Sequence, residues 1–174
     1  MLTFRLDNAD MKPRVMVQVH PPFNDTVSGR WLSSLVREVL ASESSEHALE
    51  IGLVITDDAT VKELNGRYRG TYENTDVLSF SFDHSGHYEG SGDPPITTEE
   101  DFVIPPSATK SLGEVIISYP EASRQAKRNE IPVKKELAKL VTHGILHLFG
   151  YDHTDSEEER HMVAKEEALL NKLL

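Results

Sequence analysis

One short segment near the C-terminus, from His143 to His153, constrains this chain more than any other part of its sequence. His143 and His147 lie four residues apart within an apolar run, so on a helix both imidazoles project from one face, one turn apart. Gly150 predicts the end of that helix, because glycine readily takes the left-handed conformation found just past helix ends. The chain is then expected to turn and to bring His153 back towards the first two rings.

Three converging imidazoles predict a metal site. Two histidines at this spacing are, by themselves, more often core residues, but a third one after a glycine stop completes a ligand set. Three neutral imidazoles suit a catalytic zinc that keeps one position open for water, whose pKa falls to about 7. The sequence contains no cysteine, which excludes thiolate ligands. Another divalent transition metal, such as nickel or cobalt, also suits an all-imidazole site.

The metalloprotease helix H-E-x-x-H has the same histidine spacing, but its general base is the glutamate after the first histidine. Gly144 occupies that position here. A glycine inside a helix costs about 1 kcal/mol relative to alanine. Close approach by another part of the chain therefore explains Gly144 better than helix propensity does. The sequence favours a metal site, with a zinc peptidase or another metal hydrolase as an alternative.

The composition is that of a soluble globular protein. A chain of 174 residues with 38% hydrophobic residues is long enough for one domain with a real core. No apolar run approaches the ~20 residues of a membrane span. The N-terminus lacks the basic start and apolar core of a secretion signal, so we expect no membrane association and a cytoplasmic location.

The net charge of −11 argues against indiscriminate nucleic-acid binding, which needs a basic surface. It is compatible with a local basic patch, and the segment 124–139 is rich in lysine and arginine. Such a run is either a solvated helix face or a surface that follows an RNA backbone. The candidate RNA-binding residues are Arg124, Lys127, Arg128, Lys134 and Lys135.

Hydrophobic periodicity predicts one α+β domain, with a sheet of about four strands packed with about five helices. The predicted strands are 15–19, 49–56, 75–82 and 112–118. The first predicted helix runs through Trp31 to Leu40 after a cap at Asp25 or Ser28, and the second from Ala59 to about Tyr68 after Asp57 or Asp58. The third runs from Glu121 to Arg128. The histidine helix follows with Pro132 in its first turn, and a last helix opens with Thr154 to Glu157.

The two C-terminal helices have predicted buried faces. In the histidine helix this face comprises Leu137, Leu140, Val141, Gly144 and Leu148. In the last helix it comprises Met162, Val163, Ala164, Leu169, Leu170 and Leu173. His161 is interpreted as a surface residue and not as a ligand.

The composition changes between Asp83 and Lys110, where glycine, proline and short polar residues dominate. Long segments without periodicity are usually functional or disordered, so we expect a flexible insertion at about 83–110. His84 and His87 lie within it and are interpreted as a solvated pair, in preference to a second metal site.

Three blocks of this sequence resemble a known family. The segment from His143 to His153, H-G-x-L-H-L-x-G-Y-D-H, resembles the signature of the YbeY family of zinc-dependent endoribonucleases that act in rRNA maturation. Residues 64–70 (L-N-x-x-Y-R-G) with 75–80 (T-D-V-L-S-F) resemble its second block, and residues 112–118 (L-G-E-V-I-I-S) its third. The blocks occur in the family's order.

The resemblance implies a zincin-like single domain over residues 1–174, in which His143, His147 and His153 hold one zinc ion and Arg69 is the catalytic residue. It also implies a single-strand-specific endoribonuclease that processes the 3′ end of small-subunit rRNA and takes part in ribosome assembly or quality control. The implied partners are rRNA precursors and the small ribosomal subunit. Glu114 stands where the family more often has aspartate.

Arg69 is the expected clamp for charge that develops on phosphate, because a guanidinium matches phosphate oxygens geometrically. Its alternative is a surface arginine paired with a carboxylate. Attack by water and attack by the ribose 2′-hydroxyl both fit the residues. A different class of function is a non-catalytic ribosome assembly factor with a structural zinc.

Overall fold

The computed structural model describes residues 12–44, 49–82, 109–151 and 156–173. Most of the insertion expected between Asp83 and Lys110 lies outside these ranges, together with His84 and His87. Lys110, at the end of the expected insertion, begins a strand and pairs with Leu49 of a neighbouring strand.

The described residues form one mixed sheet of four strands, as predicted. Strand β1 spans Arg14–Val19, β2 Leu49–Thr56, β3 Val77–Ser81 and β4 Lys110–Ser118. The order across the sheet is β1-β2-β4-β3. The first three strands in that order are parallel, and β3 lies antiparallel to β4 at one edge. Strand β3 is shorter than the predicted run 75–82, and β4 begins earlier than predicted.

Five α-helices lie within the described ranges, the number that the periodicity predicts. Helices α1 to α5 span Gly29–Glu43, Asp58–Arg69, Tyr119–Arg128, Val133–Leu148 and Ser156–Leu173. A short 3-10 turn, Phe23–Asp25, precedes α1. None of the described helices is both long and apolar enough to cross a membrane.

Polar side chains at the ends of loops and strands determine where three helices begin. Ser28, Asp57 and Ser118 each accept a hydrogen bond from the backbone amide three residues further on, at 3.3, 2.8 and 3.2 Å. Such bonds satisfy one of the free amides in the first helical turn. The caps of α1 and α2 are therefore Ser28 and Asp57, while the alternative caps Asp25 and Asp58 lie within helical turns.

The helices cover the two faces of the sheet unequally. Leu53 of β2 and Val115 of β4 pack in the large core with α1 and α4, whereas Ile116 packs with Val61 of α2. Because successive strand residues point to opposite faces, α1 and α4 cover one face and α2 covers the other. Helix α5 packs against α4, and its Met162 belongs to the large core.

The predicted inward face of α4 is confirmed, since each of its five members is buried. In α5, Met162 and Leu169 are buried as predicted and Leu170 is half-buried. Val163 and Ala164 are exposed, so that part of the prediction is wrong. Consecutive helical residues lie about 100° apart, and the stripe that faces α4 is narrow. The side chain of Leu173 lies outside the described part of the chain.

Candidate metal centre

His143 and His147 project from the same side of α4 and point their Nε2 atoms at each other. The two Nε2 atoms are 3.1 Å apart, and the rings lie nearly at right angles at 79°. In a tetrahedral zinc site with Zn–N bonds of 2.0–2.1 Å, two ligating nitrogens are about 3.3 Å apart. The pair therefore has the chemistry and the spacing of two ligands of one divalent ion.

Gly144 lets α4 approach the sheet closely beside the first histidine. A Cβ atom at Gly144 would lie 2.6 Å from Cγ1 of Val115 and 3.2 Å from Oγ of Ser79. The Ser79 hydroxyl also donates a hydrogen bond to the Gly144 carbonyl, at 3.1 Å. The expectation that close approach explains this glycine is confirmed, and the approaching elements are β3 and β4.

The second nitrogen of His143 has its own partner. Nδ1 of His143 lies 3.3 Å from Oε2 of Glu166 on α5, and the Glu166 side chain is 9% exposed. When the proton is on Nδ1, that atom donates to the carboxylate and Nε2 keeps its lone pair. Histidines that bind a metal usually have a second hydrogen-bonding partner of this kind. The surroundings of His143 therefore fit a ligand that binds through Nε2.

The third expected ligand, His153, lies outside the described residues, and so does Asp152. Within the ranges that the structure describes, no group of three or more histidine and carboxylate side chains is arranged to hold an ion. The chain is described up to Tyr151, after Gly150 has turned it with a φ of 86°. The predicted helix stop at Gly150 is thus confirmed.

Tyr151, two residues before His153, is held by a partly buried network. Its hydroxyl donates to Oε2 of Glu43 on α1 at 3.1 Å, and Lys165 on α5 contacts both groups, with its Nζ 2.7 Å from the same carboxylate. The hydrogen bonds that Lys165 donates to Glu43 and Tyr151 raise the pKa of Lys165 above its usual value. The network connects α1 and α5 to the segment that leads to His153.

Arg69 is the last residue of α2 and is exposed, followed by Gly70 with a φ of 72°. Helix α2 packs on the face of the sheet opposite α4, and the edge strand β3 lies between them. Leu78 of β3 packs with α2, whereas Ser79 bonds to α4. Among the described residues Arg69 has no ion pair.

The cations of the basic segment 124–139 fall into two groups, those with carboxylate partners among the described residues and those without. Arg124 bonds to Glu121 and to Asp58 on α2 at 2.9 Å, and Arg128 bonds to Glu121 at 2.9 Å. Burial alone would raise the pKa of Glu121, but the bonds from Arg128 and Arg124 outweigh it and lower that pKa. Two of the five candidate RNA-binding cations thus already have carboxylate partners.

The other three of the five candidate cations are lysines. Lys127 and Lys135 are exposed and have no ion pair within the described ranges. Nζ of Lys134 lies 5.1 Å from the ring centroid of Trp31, a cation–π distance. A phosphate backbone would therefore meet Lys127 and Lys135 most freely.

Sequence reasoning missed Glu166 and the group formed by Glu43, Tyr151 and Lys165. Glu166 is 23 residues from its histidine partner, and Glu43 is 108 residues from Tyr151. The last helix shows only its apolar stripe in the sequence, and nothing local indicates which of its acidic residues turns inward. His161, interpreted as a surface residue, is exposed.

This chain is similar in sequence and in fold to known proteins. A family model described as Endoribonuclease YbeY matches residues 20–174. A protein of Dehalococcoides mccartyi with that name is 42% identical over 146 residues, covering 83% of this chain and 87% of its own. A namesake from Roseiflexus castenholzii is 37% identical over 169 residues, covering 97% and 96%. A solution structure from Thermotoga maritima is similar in fold, with a TM-score of 0.55, 22% identity and coverage of 92% and 88%.

Proposed function

This chain belongs to the endoribonuclease YbeY family, and we propose that it cleaves single-stranded RNA at a metal centre built on α4. The observation that carries the proposal is the 3.1 Å approach of Nε2 of His143 to Nε2 of His147. Two core histidines that face each other without an ion gain at most one hydrogen bond. Two histidines that share an ion each contribute a lone pair, and their geometry suits that role.

His143, His147 and His153 would hold the ion, and zinc is the metal that this all-imidazole set favours. When bound, such an ion supplies Lewis-acid chemistry and makes hydroxide available near neutral pH. Because the three histidines are the only protein ligands in the proposal, one side of the centre stays accessible to RNA. His143 keeps its Nε2 lone pair because its Nδ1 faces Glu166.

Arg69 would contact the phosphate under attack. Cleavage of a phosphodiester develops negative charge on the non-bridging oxygens, and a guanidinium offers two parallel N–H donors to them. The arginine is exposed and has no carboxylate partner among the described residues, so its donors are available. An RNA strand that crosses the edge strand β3 would pass from the Arg69 side of the sheet to the α4 side.

The biological substrate that we propose is precursor rRNA, at the 3′ end of the small-subunit rRNA, with the small ribosomal subunit as partner in the cytoplasm. The net charge of −11 restricts phosphate contacts to local sites. Lys127 on α3 and Lys135 on α4 are exposed and would make such contacts, with Lys134 next to Lys135 in the chain. Arg124 and Arg128 would contribute less, because Glu121 and Asp58 already bind them.

The alternative of a zinc peptidase is disfavoured by the packing around Gly144. A peptidase of the H-E-x-x-H type needs a glutamate in this position. A Cβ atom alone would already lie 2.6 Å from Val115, so a longer side chain would require α4 to move away from the sheet.

RNA cleavage by His147→Ala tests the proposal, with His20→Ala as the matched control. His20 is exposed at the end of β1 and bonds to Thr56, so its loss removes an imidazole elsewhere on the molecule. We expect folded His147→Ala protein to lose both bound metal and cleavage of single-stranded RNA, while His20→Ala keeps both. Cleavage by metal-free His147→Ala protein at the wild-type rate would overturn the proposal.

A further inference from the structure

Glu166 is a buried carboxylate whose hydrogen-bonding partner lies in the candidate metal centre. Its side chain is 9% exposed, and Oε2 lies 3.3 Å from Nδ1 of His143. Within the described residues, this is the hydrogen bond that Glu166 makes. Removing a carboxylate from water is costly unless the group gains a partner. The position of Glu166 therefore depends on the imidazole that it faces.

Lys165, the residue before Glu166, attaches α5 to α1 and to Tyr151. Nζ of Lys165 lies 2.7 Å from Oε2 of Glu43, a side chain that is 2% exposed. The same lysine also contacts the Tyr151 hydroxyl. Two consecutive residues of α5 thus contact both ends of the ligand segment, the His143 end and the turn that leads to His153. This ion pair fixes the turn of α5 that carries Glu166.

We propose that Glu166 is a positioning residue for the metal centre: it orients His143, keeps the proton on Nδ1 and directs the Nε2 lone pair towards His147. A carboxylate on the outer nitrogen of a ligating histidine sets the tautomer and ring orientation and makes the imidazole a stronger donor. The inference rests on the metal centre of the proposed function. It adds that the affinity for the ion depends on α5, a helix that supplies no ligand.

Zinc affinity, measured by competition with a chelator, tests this role in three variants of the full chain. Glu166→Leu removes the hydrogen bond and the charge, and it fills the space between α5 and α4 with an apolar side chain of similar size. Glu166→Gln keeps an oxygen that accepts the Nδ1 proton but removes the charge. Glu167→Gln is the matched control, because this neighbouring glutamate is exposed. Metal-free thermal melting is measured in parallel.

We expect Glu166→Leu to bind zinc ~10–100-fold more weakly than the wild type, the usual loss when such a partner is removed. Glu166→Gln should show a smaller loss, and Glu167→Gln none. Unchanged zinc affinity in folded Glu166→Leu, with a lower metal-free melting temperature, would make the contact structural and overturn the proposal. If Glu166→Leu does not fold, Glu166→Gln decides, and affinity equal to that of Glu167→Gln overturns it.

His147→Ala separates this inference from the proposed function. Loss of zinc binding in His147→Ala together with unchanged affinity in both Glu166 variants would reject only the positioning role. Unchanged zinc binding in His147→Ala would reject the metal centre itself, and with it the role of Glu166.

Discussion

The hydroxyl of Ser79 donates to the carbonyl of Gly144 at 3.1 Å, and this bond joins the edge strand β3 to α4 directly beside His143. The bond forms because Gly144 has no side chain to separate the helix from the strand. The candidate centre therefore lies against the edge strand β3. Helix α2, which ends at Arg69, packs against the other face of the same strand.

Gly144→Ala should destabilise the protein although alanine is the better helix former. The added Cβ would meet Val115 Cγ1 at 2.6 Å, and overpacking of this kind costs about 1–3 kcal/mol. The gain in helix propensity offsets about 1 kcal/mol of it. Denaturant unfolding of metal-free protein measures the difference. The penalty should shrink in a Val115→Ala background, and equal penalties in both backgrounds would contradict the close approach.

Arg69→Lys should keep folding and metal content but slow catalysis. Lysine retains the charge and loses the bidentate fork, and removing one such electrostatic contact typically costs ~10²–10³ in rate. Single-turnover cleavage, zinc stoichiometry and thermal melting are measured on the same protein. Arg67→Lys is the control, since Arg67 is exposed on the same helix. Near-wild-type cleavage by folded Arg69→Ala would remove Arg69 from the mechanism.

Within the basic segment, substitution of lysines should weaken RNA binding, whereas substitution of Arg124 should lower stability. Lys127→Ala and Lys135→Ala should weaken RNA binding and reduce the slope of log K against log salt concentration by about 0.7 for each phosphate that the variant no longer neutralises. Arg124→Ala should mainly lower stability, because this side chain bonds to Glu121 and Asp58. Salt titrations of RNA binding measure the first effect. Equal slopes in the wild type and both lysine variants would exclude these residues from RNA contact.

Glu121 should contribute stability that disappears in acid. Its folded-state pKa is lowered from 4.5, because bonds from Arg128 and Arg124 outweigh the effect of burial. A lowered pKa means that the contribution is complete above about pH 4.5 and is lost as the pH falls through the folded-state pKa. Glu121→Gln should cost ~1 kcal/mol at pH 7 and converge with the wild type in acid. Glu63→Gln, at an exposed site on α2, is the control, and a constant difference across the pH range would contradict the assignment.

Local patterns in the sequence predict much of this fold. The spacing of His143 and His147 places both rings on one helical face, and the structure has them there. Ser28 and Asp57 cap the helices that follow them, because their side-chain oxygens accept hydrogen bonds from free backbone amides of the first turn. Their position just before a helical pattern of apolar residues predicts this role. Gly144 indicates close approach because no helical preference explains a glycine in that position.

Contacts between distant parts of the chain are not predictable in this way. The pairing of Arg124 with Asp58 joins residues 66 positions apart and turns a candidate RNA-binding cation into a structural one. Glu166 is one of several acidic residues on α5, and only the packing of α5 against α4 selects it. The order β1-β2-β4-β3 likewise pairs strands that are far apart in the chain, and no single segment encodes it.

The most direct test of the central claim is a zinc titration of metal-free wild-type protein, with cleavage of single-stranded RNA and bound metal measured in the same samples. We expect no cleavage without metal and a rate that rises in proportion to bound zinc, reaching its plateau at about one ion per chain, the stoichiometry of a single three-histidine site. Cleavage by the metal-free protein at the full rate, or one bound zinc per chain with RNA bound but never cleaved, would contradict it.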